Sequence, residues 1–223
     1  MRLSRAVGIV DRLGIALVFP IENKPEPPSL WSALHPGSRM RWDWDATADD
    51  RVVELWHLRE QLARSSEVAY AKWFRGRATF FSLPVFHALL GRIAEAGDPE
   101  RSLPRASRES LDLLREMSPR STKQLRADAE LGGKPLEGVF THAMKALWSR
   151  LLVVGVGEVE DGAFPSLAVA ATDAMFEDLW NARRKVPPSA RSALEEALRR
   201  SPAFARELAR SVKAASLPPD EEA

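Results

Sequence analysis

Apolar residues recur every three or four positions in several stretches of the chain, which is the spacing that one buried face of a helix requires. In the first hundred residues this pattern predicts helices over 5–13, 49–64 and 84–96. Short apolar runs at 15–19 and 79–83, close to glycine and proline, are typical of buried extended segments. The N-terminal region is therefore predicted to combine helices with short strands.

The stretch that follows has a more distinctive order of elements. A helix over 107–117 leads to a short second helix, with Ser121 or Thr122 as its cap. A glycine pair at 132–133 then makes a tight turn before a third helix, and an apolar hairpin with an acidic turn at 160–162 follows. This order of elements predicts a winged helix-turn-helix, in which a helix, a short helix, a tight turn and a third helix are followed by a hairpin.

The predicted fold class is mainly α with small β elements, an α+β fold built on this winged helix-turn-helix. Whether the N-terminal region forms a second winged helix or packs on the first stays open. The segment GDPERSLP is the clearest linker, because it combines glycine, prolines and charges. The predicted organisation is a helical or winged-helix-like N-terminal region (1–97), a linker (98–105), a winged-helix domain (106–181), a C-terminal helical pair (187–216) and a disordered tail (217–223).

The third helix of the predicted winged helix is the first candidate for nucleic-acid contact. Its buried face is predicted to carry Leu136, Val139, Phe140, Ala143, Leu147 and Leu151. Between 120 and 150, six basic residues stand against three acidic ones, and this excess of positive charge suits phosphate contacts. The alternative is a solvated helical face, which charge runs often represent. The candidate nucleic-acid-binding residues here are Lys123, Arg126, Lys134, Thr141, His142 and Lys145.

A second basic patch lies between 59 and 77, where five basic residues stand against two acidic ones and aromatic residues are interleaved. Basic residues with aromatics can hold a nucleic-acid strand by charge and stacking. The candidate contacts here are Lys72, Arg75 and Arg77. The alternative is that the aromatic rings fill a core while the basic side chains lie at the surface.

The predicted hairpin carries the opposite charge. Its turn contains Glu158, Glu160 and Asp161 but no lysine or arginine, so phosphates would repel it. If the domain binds DNA, either the third helix makes the contact or the hairpin points away. The acidic turn also suits a surface for a protein partner.

The composition narrows the remaining possibilities. Hydrophobic residues make up 45% of the chain, as in globular proteins, while the net charge is only +1, so nucleic-acid binding would depend on local patches. The absence of cysteine excludes disulfides, thiolate metal sites and cysteine nucleophiles. No apolar run approaches the roughly 20 residues that span a bilayer, so a cytoplasmic protein with no membrane contact is expected.

The sequence also offers little support for catalysis. The four histidines are scattered, and no two have the close spacing of a helical metal site. A phosphate-cradling glycine loop and a Gly-x-Ser-x-Gly motif are both absent from the sequence. We therefore expect no cofactor and no metal, and a role that is not enzymatic.

One stretch, LWHLREQLARSSEVAYAKWFRGRATFFSL, resembles a signature of the AlkZ-related winged-helix proteins. In that signature a tryptophan and a charged helix lead to a tyrosine, a lysine, a basic turn and a Thr-Phe-x-Ser-Leu strand. The resemblance extends over roughly residues 5–180, and it implies winged-helix units and a link to DNA. The matching residues are Trp56, Tyr70, Lys72, Arg75, Thr79, Phe80, Ser82 and Leu83.

The catalytic relatives in this family are DNA glycosylases that excise alkylated or crosslinked bases, with a Gln-x-Asp or Gln-x-Gln motif after a Leu-Gly pair. In this chain Leu13 and Gly14 form the pair, and by that register Leu17 and Phe19 stand at the catalytic positions. Neither side chain can position a water molecule or stabilise a developing cation. We carry over no catalytic residue from the resemblance.

These observations favour a non-catalytic winged-helix protein that binds double-stranded DNA, in repair or regulation. Lysine and arginine side chains would contact phosphates, and Thr141 and His142 would face base edges. Two alternatives stay open: a protein-interaction module that uses the acidic hairpin, and a divergent DNA glycosylase that uses other residues.

Overall fold

The computed structural model describes residues 3–41, 49–162 and 165–216. Its helices are α1 (Leu3–Leu13), α2 (Leu30–Leu34), α3 (Asp50–Ser65), α4 (Leu83–Ala96), α5 (Arg105–Glu116), α6 (Thr122–Asp128), α7 (Glu137–Ser149), α8 (Thr172–Met175), α9 (Glu177–Asn181), α10 (Pro188–Arg200) and α11 (Pro202–Ser216). Its strands are β1 (Ile15–Leu17), β2 (Val68–Phe74), β3 (Arg77–Ser82), β4 (Arg120–Ser121), β5 (Val153–Val159) and β6 (Ser166–Ala171). The predicted fold class, mainly α with small β elements, is confirmed. The predicted tail over 217–223 lies outside the described residues.

The strands form two small antiparallel sheets, each within a unit that has the same order of elements. The N-terminal unit, residues 3–82, has strand order β1-β3-β2, and the C-terminal unit, residues 105–171, has strand order β4-β6-β5. In both units a helix and a short strand are followed by two helices and an antiparallel hairpin. The sequence pattern predicts the three helices and the hairpin of the C-terminal unit in this order, while the short strand β4 and the same order in the N-terminal unit are found in the structure.

Local hydrogen bonds explain where the helices of both units begin. The carboxylate of Asp49 accepts a hydrogen bond from the Arg51 backbone N–H at 3.1 Å and so caps α3. Ser121, rather than Thr122, caps α6 in a reciprocal arrangement with Gln124, where each side chain accepts from the other residue's backbone N–H at 3.0 Å. Such caps typically stabilise a helix by about 1 kcal/mol.

The predicted buried face of the third helix, α7, is only partly correct. Ala143 and Leu147 are buried as predicted, but Leu136 is 37% exposed and Val139 is 42% exposed. Helical periodicity gives the direction of an apolar face but not how far neighbouring elements cover it. Helix α5 reaches α7 at Ala143, whose carbonyl oxygen accepts a 3.2 Å hydrogen bond from a serine of α5, and the first turn of α7 stays uncovered.

The segment that follows the second hairpin is not one continuous helix. The segment forms two short helices that meet at Phe176, and Ala171 occupies the N-terminal cap position. The buried Thr172 hydroxyl donates to the Leu151 carbonyl oxygen at 2.7 Å instead of capping the helix. A buried hydroxyl needs a hydrogen-bond partner, and here a distant backbone carbonyl satisfies it.

The two units pack directly on each other, because strand β5 lies against α3 and β2. A side chain at Gly155 would place its Cβ 2.2 Å from the Tyr70 ring, so only glycine allows this close approach. One continuous apolar core holds residues from both units, among them Trp73 and Leu147, together with Phe204 of α11. The domain boundary between 97 and 106 stays a prediction.

The C-terminal helical pair, predicted over 187–216, is formed by α10 and α11, which pack on α4 and on each other. Helix α11 also reaches the hairpin of the N-terminal unit. The indole N–H of Trp73 donates to the Ser211 hydroxyl at 2.9 Å, and Phe204 packs edge-on against Phe74 at 5.3 Å between ring centroids. These contacts join α11 to strand β2.

Candidate nucleic-acid interface

A groove of about 430 Å³ opens between the β2–β3 hairpin and helix α7. Lys72 and Arg75 line it from the hairpin, and Thr141 and Lys145 line it from α7. These four side chains come from the two separate basic patches that the sequence analysis identified. The structure therefore brings residues of both predicted patches into one surface feature, which we call the basic groove.

The rest of the basic groove is largely apolar. The lining of the groove includes three side chains of α7, Phe140, Met144 and Trp148, and one side chain of β6, Leu167. Glu207 of α11 adds a carboxylate. No local sequence motif marks Met144, Trp148 or Glu207 as site residues, and only the packing of α11 places Glu207 here.

Lys72 has an unusual position in its strand. It is the one exposed residue of β2, between the buried side chains of Ala71 and Trp73. Within the described part of the chain its ammonium group has no hydrogen bond and no ion pair. The walls of the groove desolvate the ammonium and thereby lower the pKa of Lys72. Repulsion from Arg59 lowers that pKa further, whereas Glu158 raises it.

The turn of the β2–β3 hairpin presents the two predicted arginines. Arg75 and Gly76 have φ angles of 51° and 73°, and positive values at both positions are what a type I′ hairpin turn requires. The Arg75 guanidinium lies 5.3 Å from the centre of the Phe74 ring, which orients it beside the groove. Arg77 is exposed at the start of β3 but does not line the groove.

The predicted outward positions of α7 are exposed, as expected for Thr141, His142 and Lys145. His142 does not line the basic groove, and neither does Lys134, which is exposed in the short 3₁₀ turn Lys134–Leu136 before α7. Both side chains remain accessible to a partner that extends along the helix beyond the groove.

Two other candidates, Lys123 and Arg126, make contacts within the chain. The Arg126 guanidinium donates to the carbonyl oxygens of Leu131 at 2.9 Å and Gly133 at 2.6 Å, which ties down the loop before α7. The Lys123 ammonium donates to the backbone carbonyl oxygen of Asp161 in the second hairpin. These contacts give both residues a structural role, whatever else they contact.

The acidic turn of the β5–β6 hairpin is largely used within the protein. Glu158 forms an ion pair with the buried Arg59 of α3, and Asp161 accepts hydrogen bonds from the hydroxyls of Ser121 and Ser166. The Ser121 hydrogen bond, followed by that of Ser166, holds the pKa of Asp161 below its usual value. Glu160 is exposed. The hairpin thus turns two of its three carboxylates toward its own chain.

The positions that correspond to the glycosylase motif lie in and after β1. Leu17 is buried and pairs with Thr79 of β3, while Phe19 is half-buried. In residues 3–41, 49–162 and 165–216, no group of three histidine, aspartate or glutamate side chains is placed to hold a metal ion. Over the same residues, no helix has the length and apolar character needed to cross a membrane.

Comparison with known proteins agrees with the predicted resemblance. The model of a family described as AlkZ related matches residues 2–210, which is nearly the whole chain. No curated protein and no solved structure shows a significant match to it. The match relates the chain to DNA glycosylase-like proteins. By its sequence over almost its full length, this protein belongs to the AlkZ-related family.

Proposed function

We propose that this protein binds double-stranded DNA through the basic groove and does so without the base-excising motif of the glycosylases. The observation that carries the proposal is the convergence of Lys72, Arg75 and Lys145 from two units on one groove. Family membership supports it, since the relatives act on DNA.

The cations of the groove are available to an anionic ligand. Within the described residues, Lys72 and Lys145 have no ion pair, in contrast to Arg59 and Arg115, whose charges are balanced by carboxylates. Phosphate groups would supply the missing negative charge and release counterions from DNA. A chain with a net charge of +1 can bind DNA in this way because the positive potential is local.

The repeated order of elements supports the interpretation of both units as winged helices. In such units the helix before the hairpin commonly contacts DNA, and the hairpin contacts the backbone beside it. Here α7 of one unit and the β2–β3 hairpin of the other flank the same groove. We infer that Lys145 and the hairpin cations hold phosphates while Thr141 and His142 face the bases.

Fluorescence anisotropy with a random duplex, titrated at several salt concentrations, tests the proposal. We expect Lys145→Glu to weaken binding about tenfold or more for every sequence and to reduce the slope of log affinity against log salt by about 1 or more. Lys185→Glu is the matched control, because Lys185 is an exposed lysine that does not line the groove. Absence of binding at low salt, or equal effects of the two variants, would contradict the proposal.

The hypothesis of a protein partner at the acidic hairpin has less support. Glu158 and Asp161 are engaged within the chain, so reversing the charge of Glu158 would disturb an internal ion pair as well as any external contact. Glu160→Lys is the clean variant, because that side chain is exposed. Copurification of a stoichiometric partner that this variant abolishes would favour the interaction module over DNA binding.

A further inference from the structure

Lys72 combines three properties that a nucleophilic amine needs. It lines a concave groove, it has no ion-pair partner in the described part of the chain, and its strand fixes its backbone between buried neighbours. A lysine attacks a carbonyl carbon only as the neutral amine, and desolvation or a nearby cation increases the neutral fraction. Both effects act on Lys72, because the groove walls and Arg59 lower its pKa.

The charges around Lys72 come from every element that faces it. Arg59 of α3 and Glu158 of β5 act on it electrostatically with opposite signs. Arg75 from the hairpin turn, Lys145 from α7 and Glu207 from α11 line the same groove. Glu207 is mostly buried and is paired with Arg210 at 2.6 Å, so the groove around Lys72 retains a predominance of cations.

The lining of the groove indicates which carbonyl compound would suit it. Arg75 and Lys145 would attract phosphate groups, while Phe140 and Trp148 offer an apolar surface beside them. A ligand with phosphates on both sides of an uncharged aldehyde fits these features. DNA presents such an aldehyde where a base has been lost, because the deoxyribose then opens to expose its C1′ carbonyl group.

We infer that Lys72 is an amine nucleophile that forms a Schiff base with the C1′ aldehyde of an abasic site held in the basic groove. The inference rests on the proposed binding of DNA and assigns it a substrate class. The activity differs from base excision, because it acts on the sugar that remains after the base has left.

The reaction balances without an oxidant or a reductant. The neutral Nζ of Lys72 attacks C1′, the carbonyl oxygen takes up protons and leaves as water, and a carbon–nitrogen double bond forms. Removal of a proton from C2′ then moves an electron pair that breaks the C3′–O bond, and the 3′ phosphate leaves with its strand. The Glu207 carboxylate lines the same groove and is the base that the structure offers for this proton. Water finally hydrolyses the imine and frees Lys72.

Borohydride trapping tests the inference directly. The full chain is incubated with a duplex that contains one abasic site, borohydride reduces any imine to a stable amine, and a denaturing gel separates the covalent adduct. We expect an adduct with the wild-type protein, mapped to Lys72 by peptide mass spectrometry. Lys72→Arg keeps the positive charge but cannot form the imine, so at a protein concentration that saturates the duplex it should lose at least nine-tenths of the adduct.

Two controls complete the experiment. Lys145→Ala should weaken binding but still yield the adduct at saturating protein, because its amine is not the nucleophile. Anisotropy with a chemically stable abasic analogue measures binding without reaction. Binding without an adduct, or an adduct undiminished in Lys72→Arg, overturns the inference and leaves the proposed function intact. Failure to bind either duplex at low salt overturns both.

Discussion

The two hairpins of this protein have the same place in their units but opposite surroundings. The β2–β3 hairpin carries Lys72 and Arg75 in the lining of an open groove, and Arg77 is exposed beside its turn. The β5–β6 hairpin carries acidic residues and lies against α3 and β2 of the other unit. One hairpin thus offers charges to a partner, whereas the other uses its charges to join the two units. Equal topology does not imply equal function, because tertiary packing decides which hairpin stays accessible.

The largest effect should follow from breaking the ion pair that holds the second hairpin. Arg59 is buried, also contacts Tyr70 at 3.5 Å and stacks on Trp56 at 4.1 Å from the ring centre. Glu158→Gln would leave this guanidinium without its counter-charge, and we expect a loss of about 3 kcal/mol in the free energy of unfolding. Urea denaturation measures this loss in the free energy of unfolding. Glu160→Gln on the same hairpin is the control, with an expected change within about 0.5 kcal/mol.

An equal loss of stability in the two glutamate variants would mean that the Arg59–Glu158 pair does not join the units. The proposed difference between the two hairpins would then lose its main support, because this ion pair would not hold the β5–β6 hairpin against α3.

A smaller effect is expected from filling the space between β5 and β2. Gly155→Ala would push its methyl group into the Tyr70 ring, and such overpacking typically costs about 1–3 kcal/mol. Gly138→Ala is the matched control, because a Cβ there meets nothing within 4 Å and the residue lies within α7. Replacing a helical glycine by alanine should stabilise the protein by about 0.5–1 kcal/mol. If thermal or urea unfolding showed that both substitutions change the free energy of unfolding in the same direction, the close packing of Gly155 against Tyr70 would be contradicted.

The smallest effect on stability should come from the accessible hairpin. Arg75 is exposed, its guanidinium lies over the Phe74 ring, and within the described part of the chain it has no hydrogen bond and no ion pair. Arg75→Ala should change the free energy of unfolding by about 0.5 kcal/mol or less while weakening duplex binding several-fold through the loss of one phosphate contact. Denaturation and anisotropy on the same preparation separate the two outcomes. If the variant lost stability but kept its affinity for the duplex, the hairpin would have a structural role rather than a role in DNA binding.

Much of the candidate site could be found from the sequence, but its assembly could not. Periodicity placed Thr141 and Lys145 on the outer side of a helix, and charge density selected Lys72 and Arg75. No sequence feature showed that these two pairs face one groove, because they are far apart in the chain and meet only when β2 packs beside α7. Glu207 was missed for the same reason, since it reaches the groove from a C-terminal helix with no local motif.

The sequence by itself determined the local structure of the protein. The apolar period set the helices, Ser121 and Gln124 fixed the start of α6, and Arg75 with Gly76 formed the turn of the first hairpin, because these effects act between residues close in the chain. The tertiary structure alone decided which of those surfaces remained open. It paired Glu158 with the buried Arg59 and left Leu136 and Val139 uncovered. Burial depends on the shape and charge of distant elements, and no pattern along the chain contains that information.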